Sequence, residues 1–135
     1  MKWLLQLFTW WNEQTLSTRI HTFFHGERVG QDEFGNTYYR WKNGKIDPAL
    51  GFNRRWVIFR GVAEGSKVPP GWYGWLHYLT DETPISAPYT PREWEKPYIP
   101  NQTGTPNAWR PSGSTLAAGV RQPAGGDYQA WSPDA

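Results

Sequence analysis

The sequence predicts an α+β chain: an N-terminal amphipathic helix, a small antiparallel β-sheet with a short helix, and a long extended C-terminal tail with little regular structure. Three observations carry this. Apolar residues recur at helical spacing over residues 2–24, strand-forming runs alternate with Asn/Gly turns from residue 28, and nine of the twelve prolines fall within residues 84–135. The chain of 135 residues therefore divides into 1–27, 28–83 and 84–135.

Leu4, Leu7, Phe8 and Trp11 follow the i, i+3, i+4, i+7 pattern, with Lys2, Gln6, Glu13 and Ser17 on the opposite side. A second stripe of Leu16, Ile20 and Phe23 is rotated from the first. One helix of about 22 residues, some 33 Å long at 1.5 Å per residue, accommodates both. It then offers apolar surface to two neighbours, and Leu4, Phe8 and Trp11 are expected to meet a partner. Trp3, Trp10 and Trp11 also suit a membrane surface, where amphipathic rings are favoured. The opening MKWLLQLFTWW lacks a small-x-small cleavage site and the Arg/Ser richness of a transit peptide. No stretch approaches the ~18 apolar residues that a bilayer span needs.

From Arg28 the pattern changes. Phe34-Gly35-Asn36 and Asn43-Gly44 are turn signals, because Asn and Gly tolerate the positive φ that hairpin turns demand. TYYRW lies between them and RRWVIFR, residues 54–60, follows, so at least three strands are expected. In VPPGWYGWLHYLTDETP, residues 68–84, Ser66 precedes as a cap and Pro69 or Pro70 fits the first helical turn. Trp72, Trp75, Leu76 and Leu79 then share a face, and the helix closes near Thr80-Asp81. Gly71 and Gly74 each weaken it by roughly 1 kcal/mol relative to alanine, so packing must hold it.

Past Pro84 the apolar periodicity stops, yet Tyr89, Trp94, Tyr98, Trp109, Tyr128 and Trp131 recur. Regular aromatics on a proline-stiffened strip read as anchors for a partner's pockets.

Few residues have the spacing that catalysis or metal binding needs. His21 and His25 have metal-ligand spacing, but the second position of a zincin motif is Thr22, so a polar helix edge is the better account. Asp81 reads as a turn or cap residue, and His77 as a hydrogen bond to neighbouring backbone. GVAEGSK lacks the glycine spacing of a phosphate loop, and no serine sits in a nucleophile elbow. The chain is expected to be no enzyme and to bind no metal or cofactor. The absence of cysteine excludes disulfides and thiolate metal sites. Net charge is +2 with no Lys/Arg block, which argues against nucleic acid. Residues 28–83 are near the size where a core is marginal without a staple. Ten tryptophans in a chain with so little interior call for burial by a partner. An alternative is a stand-alone module that binds single-stranded nucleic acid or carbohydrate with exposed Trp and Tyr on the sheet.

VGQDEFGNTYY (29–39), RRWV (54–57), VPPGWYGWLHYLTDETP (68–84) and NQTGTPNAWRP (101–111) occur in an order that resembles the NDUFA-twelve family, small accessory subunits of respiratory complex I (NADH:ubiquinone oxidoreductase). DYQAWSPD is similar to the family's terminus. Gly71, Tyr73 and Gly74 replace more polar residues, and Trp109 stands where tyrosine is common. The resemblance implies an N-terminal helix near the membrane, a small sheet, and a tail laid over the peripheral arm. It implies hetero-oligomeric contacts with iron–sulfur and quinone-site subunits, and no redox cofactor in the chain itself. Trp72, Trp75 and Tyr78 would be sheet-packing or partner anchors, and the tail from Trp94 through Tyr98, Thr103-Gly104-Thr105-Pro106, Trp109 and Trp131 would clamp neighbours. A paralogous branch serves as an assembly factor; the intact aromatic tail points to a permanent subunit. The expected location is peripheral, on the cytoplasmic side of a bacterial inner membrane, equivalent to the matrix side in mitochondria.

Overall fold

The computed structural model describes residues 2–117, 119–120 and 131–133. The chain separates into two compact units, Met1–Asn101 and Gln102–Ala135. The first holds α1 (Lys2–Phe8), α2 (Leu16–His25), β1 (Gly26–Gln31), β2 (Thr37–Trp41), β3 (Arg55–Ile58) and α3 (Pro70–Leu76). The strands form one antiparallel sheet in the order β1-β2-β3, so the α+β class holds.

Val29 bulges from β1 between the Arg28–Tyr39 and Gly30–Tyr38 pairs. Tyr38 thus faces the same side as Gly30 and its other partner, Val57. Gly30 has a reason: a Cβ there would lie 2.7 Å from the Trp72 ring, so only glycine lets the indole lie flat on the sheet. Tyr38 and Trp72 stack at 3.9 Å and 5°, and Trp75 meets both edge-on. With Val68 these are the only apolar side chains fully buried among the described residues. Such a core is small for a chain of this length.

The β1–β2 hairpin explains the DEFGN motif. Asp32 and Asn36 close a three-residue loop whose left-handed position falls on Gly35, φ +85°. Asp32 Oδ1 accepts the Phe34 and Asn36 amides, and Oδ2 accepts Asn36 Nδ2 and the Tyr38 hydroxyl (2.7 Å). Asn36 also donates to the Lys67 carbonyl and accepts from the Arg60 amide, tying the hairpin to the segments before α3. Burial, aided by Asp32, pushes the Tyr38 phenol far above its ordinary pKa.

Several expectations need correction. The N-terminal helix is two helices. The Thr9 hydroxyl bonds back to the Leu5 carbonyl, Asn12 reaches back to Thr9, and Glu13 turns the chain at φ +61°. Thr15 then caps α2 by accepting the Thr18 amide. The rotated second stripe was the mark of this break. The linker pairs with residues 61–63 through an isolated Asn12–Val62 bridge. Asn43 and Gly44 both take positive φ, but they open a longer loop, residues 42–54, rather than a tight hairpin. Asn53 ties that loop to Trp41 through two hydrogen bonds of 3.0 and 3.1 Å, and donates a third to the Lys45 carbonyl at 3.0 Å.

α3 starts as expected, with Pro70 at its head, but Pro69 is the cap residue and Ser66 lies in a separate 3-10 turn. It ends at Leu76, earlier than Thr80-Asp81, in a Schellman closure: Leu79 N–H bonds Gly74 O and Tyr78 N–H bonds Trp75 O. Leu79 is consequently turned out to solvent and leaves the Trp72 face.

In the second unit the described residues form turns without helix or strand. Gln102 O accepts the Thr105 amide at 3.0 Å around Gly104 (φ +82°), and the Thr105 hydroxyl also donates to Gln102 O. The Thr-Gly-Thr-Pro element is a self-closed turn. Tyr128 lies outside the described residues, as does the side chain of Trp3.

Candidate interaction surface

The RRWV motif is the junction of the first unit, each residue serving a different element. The Arg54 guanidinium pairs with Asp47, whose carboxyl the Ala49 amide and Arg54 hold below the usual range. Arg55 reaches the end of α3, donating to Trp75 O (2.7 Å), Thr80 O (3.0 Å) and the Asp81 carboxylate. Its guanidinium also lies over the Trp75 and Tyr78 rings. Asp81 is therefore the ion-pair partner of Arg55, where a turn or cap role was expected. Trp56 Nε1 donates to the Thr22 hydroxyl of α2 at 3.0 Å, and Val57 packs under Tyr38.

Trp72 and Trp75 are 3% and 2% exposed, so of the two roles open to them they take sheet packing. Tyr78 holds a left-handed conformation unusual for its type, φ +59°. Its hydroxyl donates to Asn53 O (2.9 Å) and accepts the Arg55 amide (3.2 Å), while Phe52 packs on its ring. This anchor offsets the strain. His77, expected to bond neighbouring backbone, instead stacks on Tyr73 at 4.1 Å.

The opposite side of the sheet is built the other way round. α2 faces it with polar groups: Thr22 toward Trp56, and His21 Nε2 accepting Trp41 Nε1 at 3.3 Å. His25 stacks on His21 at 4.9 Å. Burial, then His25 and Arg54, push the His21 imidazole below its ordinary pKa. Among the described side chains of α1 the buried one is Gln6, which accepts from Arg19 of α2 at 3.5 Å. The apolar stripes point outward: Leu4, Leu7 and Phe8 on α1, Trp10 and Trp11 on the linker, Ile20, Phe23 and Phe24 on α2. Phe8 and Phe23 are 85% and 76% exposed. Lys42 donates to the Phe23 and Phe24 carbonyls and closes the end of α2. Phe23, Phe24 and Trp10 were not among the expected partner residues. The signal was ambiguous, since Thr18, His21, Thr22 and His25 repeat with the same helical period as Ile20, Phe23 and Phe24.

The alternative of an aromatic-surface binding module required open rings on the sheet. Tyr38 is wholly buried, and Tyr39, Trp41 and Trp56 are half-buried on the α2 side. Among the described residues no group of three or more His, Asp or Glu could hold a metal, and no helix is long and apolar enough to cross a membrane.

The strip after Pro84 begins on the first unit. Pro84 packs over Gly71, Ile85 over Gly30, and the Tyr98 hydroxyl donates to Ser66 O while its ring meets Phe34 edge-on. The Asn101 amide donates to the Ser66 hydroxyl at 3.1 Å. Trp94 remains largely exposed, with Arg92 beside its ring. In the second unit Trp109 and Trp131 are exposed too. Of the expected partner residues, then, Trp72 and Trp75 are interior, Tyr78 is half-buried, and Leu4, Phe8, Trp11, Trp94, Trp109 and Trp131 are on the surface.

Comparison with known proteins adds the family. The family model described as NADH ubiquinone oxidoreductase subunit NDUFA12 matches residues 26–133. An uncharacterized protein of Rickettsia prowazekii is 45% identical over 75 residues, covering 56% of this chain and 70% of its own length. The bovine NADH dehydrogenase [ubiquinone] 1 alpha subcomplex subunit 12 is 36% identical over 102 residues, 67% of this chain. A probable subunit of the same name from Arabidopsis thaliana is 32% identical over 123 residues, covering 87% and 73% of the two chains. The chain spans about two thirds of the length of the bovine and mouse relatives. The matched region takes in the whole sheet, α3 and the aromatic strip, and the chain belongs to the NDUFA12 family of NADH ubiquinone oxidoreductase subunits.

Proposed function

We propose that this chain is a non-catalytic accessory subunit of respiratory complex I. It stabilises, or helps to assemble, the peripheral arm near the membrane and the quinone-site subunits. The observation that carries the reading is the inverted packing of α1 and α2, with Gln6, His21 and Thr22 turned inward and Leu4, Phe8, Ile20 and Phe23 outward. Exposed apolar side chains gathered on two successive helices mark an interaction site. Family membership supplies the identity of the complex.

In this reading Leu4, Phe8 and Trp11 meet neighbouring subunits, with the membrane surface within reach of the same helices. Trp94, Tyr98, Trp109, Trp131 and the Thr103-Gly104-Thr105-Pro106 turn clamp the iron–sulfur and quinone-site subunits. Trp72, Trp75 and Tyr78 serve from beneath by holding α3 on the sheet. The location is peripheral, on the cytoplasmic side of a bacterial inner membrane.

The test is purification of the tagged full-length chain from mildly solubilised membranes of its native host. NADH:quinone oxidoreductase activity and the iron–sulfur subunits should come with it. Recovery of the chain alone would overturn the reading.

A further inference from the structure

A groove of about 570 Å³ lies between α2, the loop of residues 42–54, β3 and the end of α3. Arg54 and Arg55 supply its charge, His21 lines it with a neutral ring, Ser17 and Thr18 add hydroxyls, and Leu50 and Trp56 give it an apolar wall. No lining residue is a carboxylate.

The nearest acids are already engaged. Asp47 is buried and accepts from the Ala49 amide and Arg54 Nε, and Asp81 accepts from Arg55. The polar capacity left over is donor capacity. Arg54 commits only Nε to Asp47 and is half exposed, so its two terminal nitrogens remain without an acceptor among the described residues. His21 uses Nε2 to accept from Trp41, which puts the proton of the neutral ring on Nδ1. Arg55 is committed to α3 and Asp81, and contributes field more than bonds.

We propose that this groove seats the carboxylate of an aspartate or glutamate side chain presented by a partner protein subunit. A guanidinium edge matches a carboxylate with two parallel N–H donors. The Leu50 and Trp56 wall accepts the methylene stem of such a side chain, which a free inorganic anion would leave empty. The groups facing His21 are His25 on its own helix, Arg54 from the loop, and Trp41, whose ring carries Lys45 at 4.6 Å. All that are charged are cationic, which agrees with the depressed proton affinity of His21 and with an anionic occupant.

The proposal rests on the accessory-subunit reading, and the experiment separates the two. Ser17 is exposed in the first turn of α2, where an added acid is favourable for the helix. Ser17→Glu therefore introduces a competing carboxylate at the rim, while Ser17→Gln adds similar bulk without charge. Tagged full-length chains are purified from mildly solubilised membranes. Ser17→Glu should recover roughly tenfold less complex I than Ser17→Gln, because like charges opposed at an interface are strongly disfavoured. Arg54→Gln should show a comparable loss. Equal recovery for all variants overturns the groove proposal alone, whereas a wild-type chain that recovers no dehydrogenase overturns the functional reading.

In the free chains, NMR titration of the His21 ring should show a higher pKa in Ser17→Glu than in Ser17→Gln. No difference would mean that the groove does not hold a carboxylate, and would equally sink the idea. Finally, wild-type chain is mixed with phosphatidylglycerol vesicles. Binding that Arg54→Gln abolishes would assign the groove to lipid phosphate and overturn the partner carboxylate; indifference to vesicles supports it.

Discussion

The two faces of the sheet follow opposite packing logic. On the α3 side, Tyr38, Trp72 and Trp75 bury aromatic surface against one another, and Arg55 closes the helix end. On the α2 side, a threonine and a histidine hydrogen-bond to two indole N–H groups, and phenylalanines face water. The first arrangement is what hydrophobic burial produces in a chain that folds for itself. The second exposes the residues that the same force would bury. One face of the sheet is thus packed for the chain's own stability, and the helices on the other leave their apolar side chains exposed.

The contrast can be broken most forcefully from the α3 side. Trp72→Ala removes the stacked partner of Tyr38 and should cost about 3–5 kcal/mol, read as a drop in the urea midpoint of the isolated chain. A loss below about 1 kcal/mol would mean that this face is not the source of stability. Arg55→Ala leaves the Trp75 and Thr80 carbonyls without their charged donor and should cost about 2–3 kcal/mol by the same measurement. Trp56→Phe keeps an aromatic side chain, though a smaller one, and deletes the bond to Thr22. It should cost about 1 kcal/mol and weaken amide-exchange protection in α2 more than in α3.

On the α2 side the isolated chain should barely respond. Phe23→Ser together with Phe8→Ser should shift its stability by no more than about 0.5 kcal/mol per site. Recovery of complex I with the tagged chain should nevertheless fall sharply. A large loss of intrinsic stability would show that these rings are covered by the chain itself. The smallest effect is expected from pH. The folded state holds His21 below its ordinary pKa, so the unfolded chain binds the proton more readily. The contribution of neutral His21 is present above about pH 6.5 and is lost as pH falls below that value. Protonation also removes the acceptor for Trp41 Nε1, so Trp41 fluorescence and α2 helicity should change on acidification, and His21→Gln should remove that change.

Much of this was readable from the amino acids, unevenly. The DEFGN turn, the TYYRW and RRWV strands and the proline head of α3 were legible because turn and strand chemistry is local. The helix break at residues 9–15 was also local, written in Thr15 as a cap and in the rotation of the second apolar stripe, although one long helix could accommodate both stripes. Arg55 could not be found that way. Its partners Trp75, Thr80 and Asp81 lie 20 to 26 positions along the chain. The same holds for Leu79, which a helical wheel assigns to the Trp72 face and the Schellman closure turns outward.

The α+β class, the family motifs in order, and the mismatch between ten tryptophans and a small interior were all readable from the amino acids alone. Composition and short-range spacing are enough for these, because they depend on residue type and on neighbours a few positions away. Which stripe of α2 meets the sheet, and which tryptophans are interior, depends on contacts formed only in the folded chain. A helical period is equally consistent with either stripe facing in, and what chose the polar one is the position of two indole N–H groups on strands more than a dozen residues distant, each needing an acceptor.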